Sequence, residues 1–191
     1  MLAPENRMLL SDSLRPPEGC VLDRALATTF TLDLASALAV PLAFAAREVE
    51  VGVDPISTIE AVRKVSGKVD IFCQAGQVSV PTKHSALMGF LEPMIHPVER
   101  PRPGRLFHPK LWLLRYRRAD DAVVLRLLVM SRNLTADQSW DACVQLEGVI
   151  GSRIDPANNP IATLIESLPG RCVADLQQHR ADGIESLVRD V

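Results

Sequence analysis

Residues 107–117 read FHPKLWLLRYR and, after a short polar link, residues 123–135 read VVLRLLVMSRNLT. The first run is aromatic and apolar enough for a long buried strand, and the stretch from Val123 to Met130 repeats that composition. The link from Arg118 to Ala122, with Asp120 and Asp121, is too short for a crossover helix, so an antiparallel hairpin is the economical reading. Side chains alternate along a strand. His108 and Lys110 therefore fall on one face, with Pro109 and Leu111 on the other. The loop that begins at Ser131 then returns near the start of the first strand and brings the Ser131 hydroxyl and the Asn133 amide to the imidazole and the ammonium.

Those four side chains have the chemistry that a phosphodiester needs. An imidazole can attack phosphorus and form a covalent phosphohistidine, which splits one hard displacement into two easier ones. Lys110 would balance charge on the non-bridging oxygens, help of a kind often worth a few kcal/mol per donor. Ser131 and Asn133 would hold the phosphate or the ring by hydrogen bonds. The plainer alternatives are a hydrogen-bonded strand histidine, a solvated lysine, a turn serine and an Asn that only stabilises its loop through an Asx turn.

Outward from this hairpin, the chain alternates strand and helix. Pro4, Pro16 and Pro17 mark residues 1–18 as an extended leader, and residues 19–191 form one lobe. Ala25 to Phe30 reads as a strand, after which Asp33 caps an Ala/Leu-rich helix running to Arg47. A helix from Pro55 to Val65 leads into a buried strand from Val69 to Cys73. Ser85 to Ile95 reads as a further helix, capped by Thr82 or Ser85 and ended by Pro97. Beyond Ser131 we expect one short helical turn, a strand from Trp140 to Glu147, and helices over 159–168 and 172–191 separated by Pro169 and Gly170. The expected fold class is α/β, a mixed sheet with helices on both faces. The chain stops at Val191 directly after a helical pattern, as one lobe of a longer protein would.

Composition narrows the function classes. With 47% hydrophobic and 23% charged residues, the 191-residue chain has ordinary globular usage and length enough for a substantial core. A net charge of −2 gives no global attraction to nucleic acid or to an anionic membrane, so any such affinity must be local. One local bias exists: seven basic residues and no acidic one lie between Arg100 and Arg118, which suits a polyanion. Cys20, Cys73, Cys143 and Cys172 are scattered without disulfide or metal-ligand spacing, and the N-terminus lacks the order of a secretory signal, so a cytoplasmic setting without a metal is expected. The longest apolar stretch, Leu34 to Ala46, is interrupted by Ser36 and Pro41 and falls short of the roughly 20 residues a membrane span needs. Trp112 reads as core, with base stacking as its alternative role.

His-x-Lys on a strand, followed after a second strand by Ser-x-Asn-Leu-Thr, resembles the signature of the phospholipase D superfamily. The resemblance runs from about Ala25 to Glu147 and includes the Thr-rich stretch Thr28-Thr29-Phe30-Thr31-Leu32-Asp33 leading into a helix. It implies a phospholipase D-like sheet between helical layers. It also implies a metal-independent phosphodiesterase with no cofactor, in which His108, Lys110, Ser131 and Asn133 are catalytic and Glu147 orients His108. Arg105, Arg132 and Thr135 are the candidate substrate contacts. Members of the family build a full site from two such motifs. His84, His96 and His179 have no lysine two residues on, so the second motif is expected from an identical subunit or another lobe. At two positions the chain departs from the pattern: Arg115 replaces the acidic residue five after the lysine, and Met130 replaces the usual Gly before the serine. The resemblance to divergent bacterial members implies a nuclease or DNA-processing component in restriction or phage defence. A catalytically silent nucleic-acid-binding or dimerisation lobe is the alternative, and a phospholipid hydrolase is disfavoured because no membrane-binding stretch is present.

Overall fold

The computed structural model describes residues 9–48, 55–82, 86–137, 139–151 and 155–191. Its elements in chain order are α1 (Leu10–Ser13), β1 (Cys20–Thr29), β2 (Leu32–Asp33), α2 (Leu34–Glu48), α3 (Pro55–Ser66), β3 (Val69–Gln74), β4 (Val78–Ser79), β5 (Ile95–Val98), β6 (Leu111–Arg118), β7 (Val123–Met130), β8 (Cys143–Val149), α4 (Asn159–Ser167) and α5 (Gln178–Asp190). The expected hairpin is β6–β7, antiparallel from Leu111 opposite Val129 to Arg117 opposite Val123. Its turn is closed by the Arg118 N–H donating to the Ala122 carbonyl at 2.9 Å, with Asp121 in the left-handed conformation at φ 63°. Aspartate tolerates that conformation better than a branched residue would.

The hairpin sits inside a mixed sheet of order β5-β3-β1-β6-β7-β8, in which β5, β3 and β1 run parallel and each remaining neighbour pair is antiparallel. Alternation then divides the core. Ala25, Ala27, Trp112, Leu114, Tyr116, Val124 and Leu128 face α2 and α3, where Ala37, Val40, Phe44, Val62 and Val65 are buried. Leu26, Leu111, Leu113, Leu125 and Leu127 face Ile165 and Leu168 of the α4 region and Ile184 and Leu187 of α5. The result is the expected sheet between two helical layers, with Trp112 in the core at 3% exposure. Among the described residues no helix is long and apolar enough to cross a membrane.

Several local expectations are corrected. The extended leader does not reach residue 18, because α1 turns at Leu10–Ser13 and Leu14 is buried in the core. Tyr116 Oη donates to the Leu14 carbonyl at 2.9 Å, and Arg126 Nη1 donates to the Ser13 and Arg15 carbonyls at 2.7 Å each, pinning this segment to the sheet. The helix expected over 85–95 is instead two 3-10 turns, Ala86–Phe90 and Glu92–Met94, followed by β5. Gly89 and Pro93 interrupt the helical period there, and Pro97 fits an edge strand where no ladder partner needs its N–H. Ser85, one of the two expected caps, lies outside the described residues, as does Gln138 in the stretch where a helical turn was expected. The described residues on either side of Gln138 are not helical. The strand after them begins at Cys143 rather than Trp140, and the last helix begins at Gln178 rather than Cys172.

A charged cluster lies on the α5 side of the sheet. Asp70, fully buried, accepts from Arg24 Nη2 at 2.7 Å and from Arg180 Nη1 at 2.7 Å, and its Oδ1 is 2.8 Å from His96 Nε2. Burial pushes the Asp70 carboxyl up, but the His96 hydrogen bond and the two guanidinium groups together hold it below the ordinary carboxylate range.

Candidate active site

His108 and Lys110 lie just ahead of β6 rather than within it, because the strand ladder starts at Leu111 and Pro109 has no N–H to contribute. The segment is nonetheless held at both ends. The Phe107 N–H donates to the buried Gln74 Oε1 at 3.0 Å, and the Leu111 N–H donates to Thr28 Oγ1 at 3.2 Å. Between these anchors Lys110 Nζ comes within 3.0 Å of the His108 ring nitrogens and 3.4 Å of its carbonyl. The imidazole is exposed and tilts against the Phe30 ring, with centroids 5.2 Å apart.

The loop after β7 returns to this point because Met130 donates its N–H to the Lys110 carbonyl at 2.9 Å. Asn133 is fixed through its side chain, whose Oδ1 accepts from the Phe30 N–H at 3.2 Å, while Leu134 N–H donates to Thr29 Oγ1 at 3.0 Å. A β-bridge between Leu32 and Leu134 continues the same join. The Thr28-Thr29-Phe30 end of β1 thus ties the histidine segment and the asparagine loop together. Lys110, Thr29, Met130 and Asn133 line a crevice of about 20 Å³ between them. That is room for about one water, so a phosphoryl group would sit at the mouth, beside His108.

Ser131 is organised by a residue that sequence reasoning missed. Asp141 Oδ1 accepts from Ser131 Oγ at 2.7 Å, from Ser131 N–H at 2.9 Å and from Arg132 N–H at 3.0 Å. Ser131 Oγ in turn accepts from the Ala142 N–H at 3.0 Å. Burial lowers the pKa of Lys110 and the negative charge of Asp141 opposes that fall, the net direction being down from the ordinary lysine value.

The other expected residues divide. Arg105 is exposed in a turn that its N–H closes on the Arg102 carbonyl at 3.0 Å, and among the described residues its guanidinium has no partner. Arg132 is spent on its own loop, donating to the Ser139 and Asp137 carbonyls and pairing with the Asp137 carboxylate at 2.8 Å. Thr135 Oγ1 likewise donates to Asp137 at 2.7 Å. Hydrogen bonds from Ser139 and then Thr135 hold Asp137 far below the usual carboxylate range, so it stays an anion that locks the loop. The structure does not bring Glu147 to His108. Glu147 stands opposite Arg126, four residues before Met130, and its carboxylate accepts from Arg126 Nε at 2.6 Å.

The two departures from the motif have structural accounts. The Met130 side chain packs against the α2-side core and forms part of the lining of the crevice beside Lys110. Arg115 points to the other face, where it pairs with Asp23 and Asp190 at 2.6 Å each and donates to Ser186 Oγ at 2.8 Å. The basic run splits accordingly, since Arg117 sits 3.8 Å from Asp23 and Arg118 2.7 Å from Asp120, while Arg100, Arg102 and Arg105 are exposed in the segment that precedes His108 in the chain.

Comparison with solved structures finds two mutants of yeast tyrosyl-DNA phosphodiesterase. In one of these, 15% of aligned residues are identical, 92% of this chain and 36% of that chain are covered, and the TM-score is 0.52. In another the identity is 14%, the coverage 86% and 35%, and the TM-score 0.49. The fold is phospholipase D-like. This chain spans about a third of the length of the structures it matches. No family model and no curated protein matches the sequence.

Proposed function

We propose that this chain supplies one half of a metal-independent phosphodiesterase site that acts on nucleic acid. The observation that carries the reading is the meeting of Lys110 Nζ with the His108 ring at 3.0 Å, beside an asparagine loop fastened to the same strand end. The neutral His108 imidazole attacks phosphorus, and the bond from phosphorus to the leaving oxygen breaks as the new one forms. Lys110 and the Asn133 amide stabilise the charge that builds on the non-bridging oxygens. The proton for the leaving oxygen comes from a general acid on a second half, either another copy of this chain or a second lobe. Water then hydrolyses the phosphohistidine.

The exposed arginines 100, 102 and 105 favour a nucleic-acid substrate over a lipid, and the likeness to a DNA-processing phosphodiesterase agrees. Restriction or phage defence is the biological setting we favour, on the motif resemblance alone. The test is cleavage of labelled single- and double-stranded DNA by the full-length protein in EDTA, with His108→Ala as control. Activity that disappears in the variant, with phosphate trapped on histidine in the wild type, supports the reading. An inactive wild type on every nucleic acid would sink it.

A second reading is favoured by a specific observation: Ser131, Arg132 and Thr135 direct their polar groups into their own loop. In that case the lobe binds nucleic acid or dimerises without chemistry. Salt-sensitive DNA binding that survives His108→Ala, with no trapped intermediate, would identify it.

A further inference from the structure

The surface beside the motif continues into a groove of about 470 Å³ that shares Met130, Asn133 and Leu134 with the crevice under Lys110. Small-molecule sites occupy roughly 300–1,000 Å³, so the groove is large enough for part of a ligand whose phosphate sits at His108. Its floor is apolar, made by Leu10, Met130 and Leu134, and its wall includes Trp140 at 78% exposure.

The charged groups that line it are already committed. The Arg132 guanidinium and the Asp137 carboxylate hold each other and the loop carbonyls, and Asp141 is taken by Ser131 and the Arg132 N–H. No cation remains there among the described residues to recruit a second phosphate. An apolar floor gives a bare sugar few partners for its hydroxyls. Gln145, on β8, is the polar side chain of the lining that has no hydrogen-bond partner among the described residues, and its carboxamide both donates and accepts. A flat apolar body with a donor–acceptor edge matches this lining, and a large exposed indole beside it offers a stacking face.

We propose that this groove is a base-binding subsite, which takes the nucleobase on one side of the scissile phosphodiester with Trp140 as its stacking surface. The proposal rests on the reading of His108 to Asn133 as the phosphoryl site. Stacking accepts any base, so the subsite selects base-bearing over abasic diesters and discriminates weakly among sequences.

The experiment measures binding of the full chain to a short single-stranded oligodeoxynucleotide and to an abasic oligomer of equal length, by anisotropy of a terminal fluorophore. Wild type should prefer the base-bearing strand, and Trp140→Ala should weaken that strand roughly 5- to 100-fold while leaving the abasic one unchanged. Trp140→Phe should recover most of the loss. Tryptophan emission should be quenched by the base-bearing strand in wild type and not in Trp140→Ala, because the other indole, Trp112, is buried. Equal affinity of wild type for both strands, no binding to either, or an unaffected Trp140→Ala would overturn the subsite. Cleavage that depends on His108 but not on bases would remove the subsite and leave the phosphodiesterase reading. Base-dependent binding through Trp140 without any cleavage would do the reverse.

Discussion

The carboxylate of Asp141 takes both the hydroxyl of Ser131, at 2.7 Å, and its backbone N–H, at 2.9 Å. A serine held in this way cannot turn freely toward a phosphate, and the same carboxylate supports the positive charge of Lys110. In the proposed mechanism Lys110 must stay protonated to balance phosphate charge, and its lowered pKa predicts that activity falls on the alkaline side earlier than for an ordinary lysine. Asp141→Asn removes the charge that opposes this fall, so the alkaline limb should move to still lower pH. The check is the pH profile of kcat/KM for a nucleotide diester. A limb that stays in place, or moves up, would show that Asp141 serves only the loop.

Asn133 binds the loop to β1 through one atom. Asn133→Ala leaves the Phe30 N–H without its 3.2 Å acceptor, and a lost bond of this kind at a half-buried site costs about 1 kcal/mol. Thermal unfolding should shift down by a few degrees, while the rate at His108 falls much further because the loop no longer fixes the phosphate. If activity and stability fall in proportion, Asn133 is a fastener and nothing more.

The hairpin was legible because alternation and a short Asp-containing link constrain each other, and the α2 start because Asp33 accepts from the Ala35 N–H at 3.0 Å as a cap should. Of the candidate site, the approach of Lys110 to His108 and the return of the Asn133 loop to the same strand end were legible, because chemistry and spacing coincide there. Asp141 was not, since an isolated aspartate in a polar loop has no periodic partner until the chain folds back on Ser131. Glu147 was misplaced for a related reason. Its partner Arg126 becomes its neighbour only through the β7–β8 register, which short apolar strands do not specify from sequence. Apolar spacing alone predicts a helix before β5 because it does not weigh Gly89 and Pro93, which favour the 3-10 turns, against a helical period.

Arg115 stands where the resemblance would put an acidic residue, and restoring that residue should do harm. The guanidinium joins β6 to Asp23 of β1 and to Asp190 of α5, and its side chain is only 11% exposed. Arg115→Asp would place three carboxylates together on that face, a loss of about 3 kcal/mol or more of the kind seen when one partner of a buried pair is removed. Chemical denaturation should show a lower midpoint with little change in slope. A variant as stable as wild type would mean that α5 is not held to the sheet through this contact.

Asp70 holds Arg24, Arg180 and His96 on the same α5 side of the sheet, and the sign of its pH effect follows from its lowered pKa. A carboxyl whose folded value lies below its unfolded value, about 3.9, stabilises fully above that unfolded value. The contribution is then lost as pH falls through the lower folded value. Wild-type stability should therefore decline from about pH 5 downward as this carboxylate takes up its proton. Asp70→Asn leaves two buried guanidinium groups without their counter-charge and should cost about 3–5 kcal/mol at neutral pH. Its own stability should be flatter across the acid range, because the titrating group is gone. Urea midpoints for both proteins between pH 7 and pH 3 test both statements. Parallel curves would show that acid sensitivity arises elsewhere in the chain.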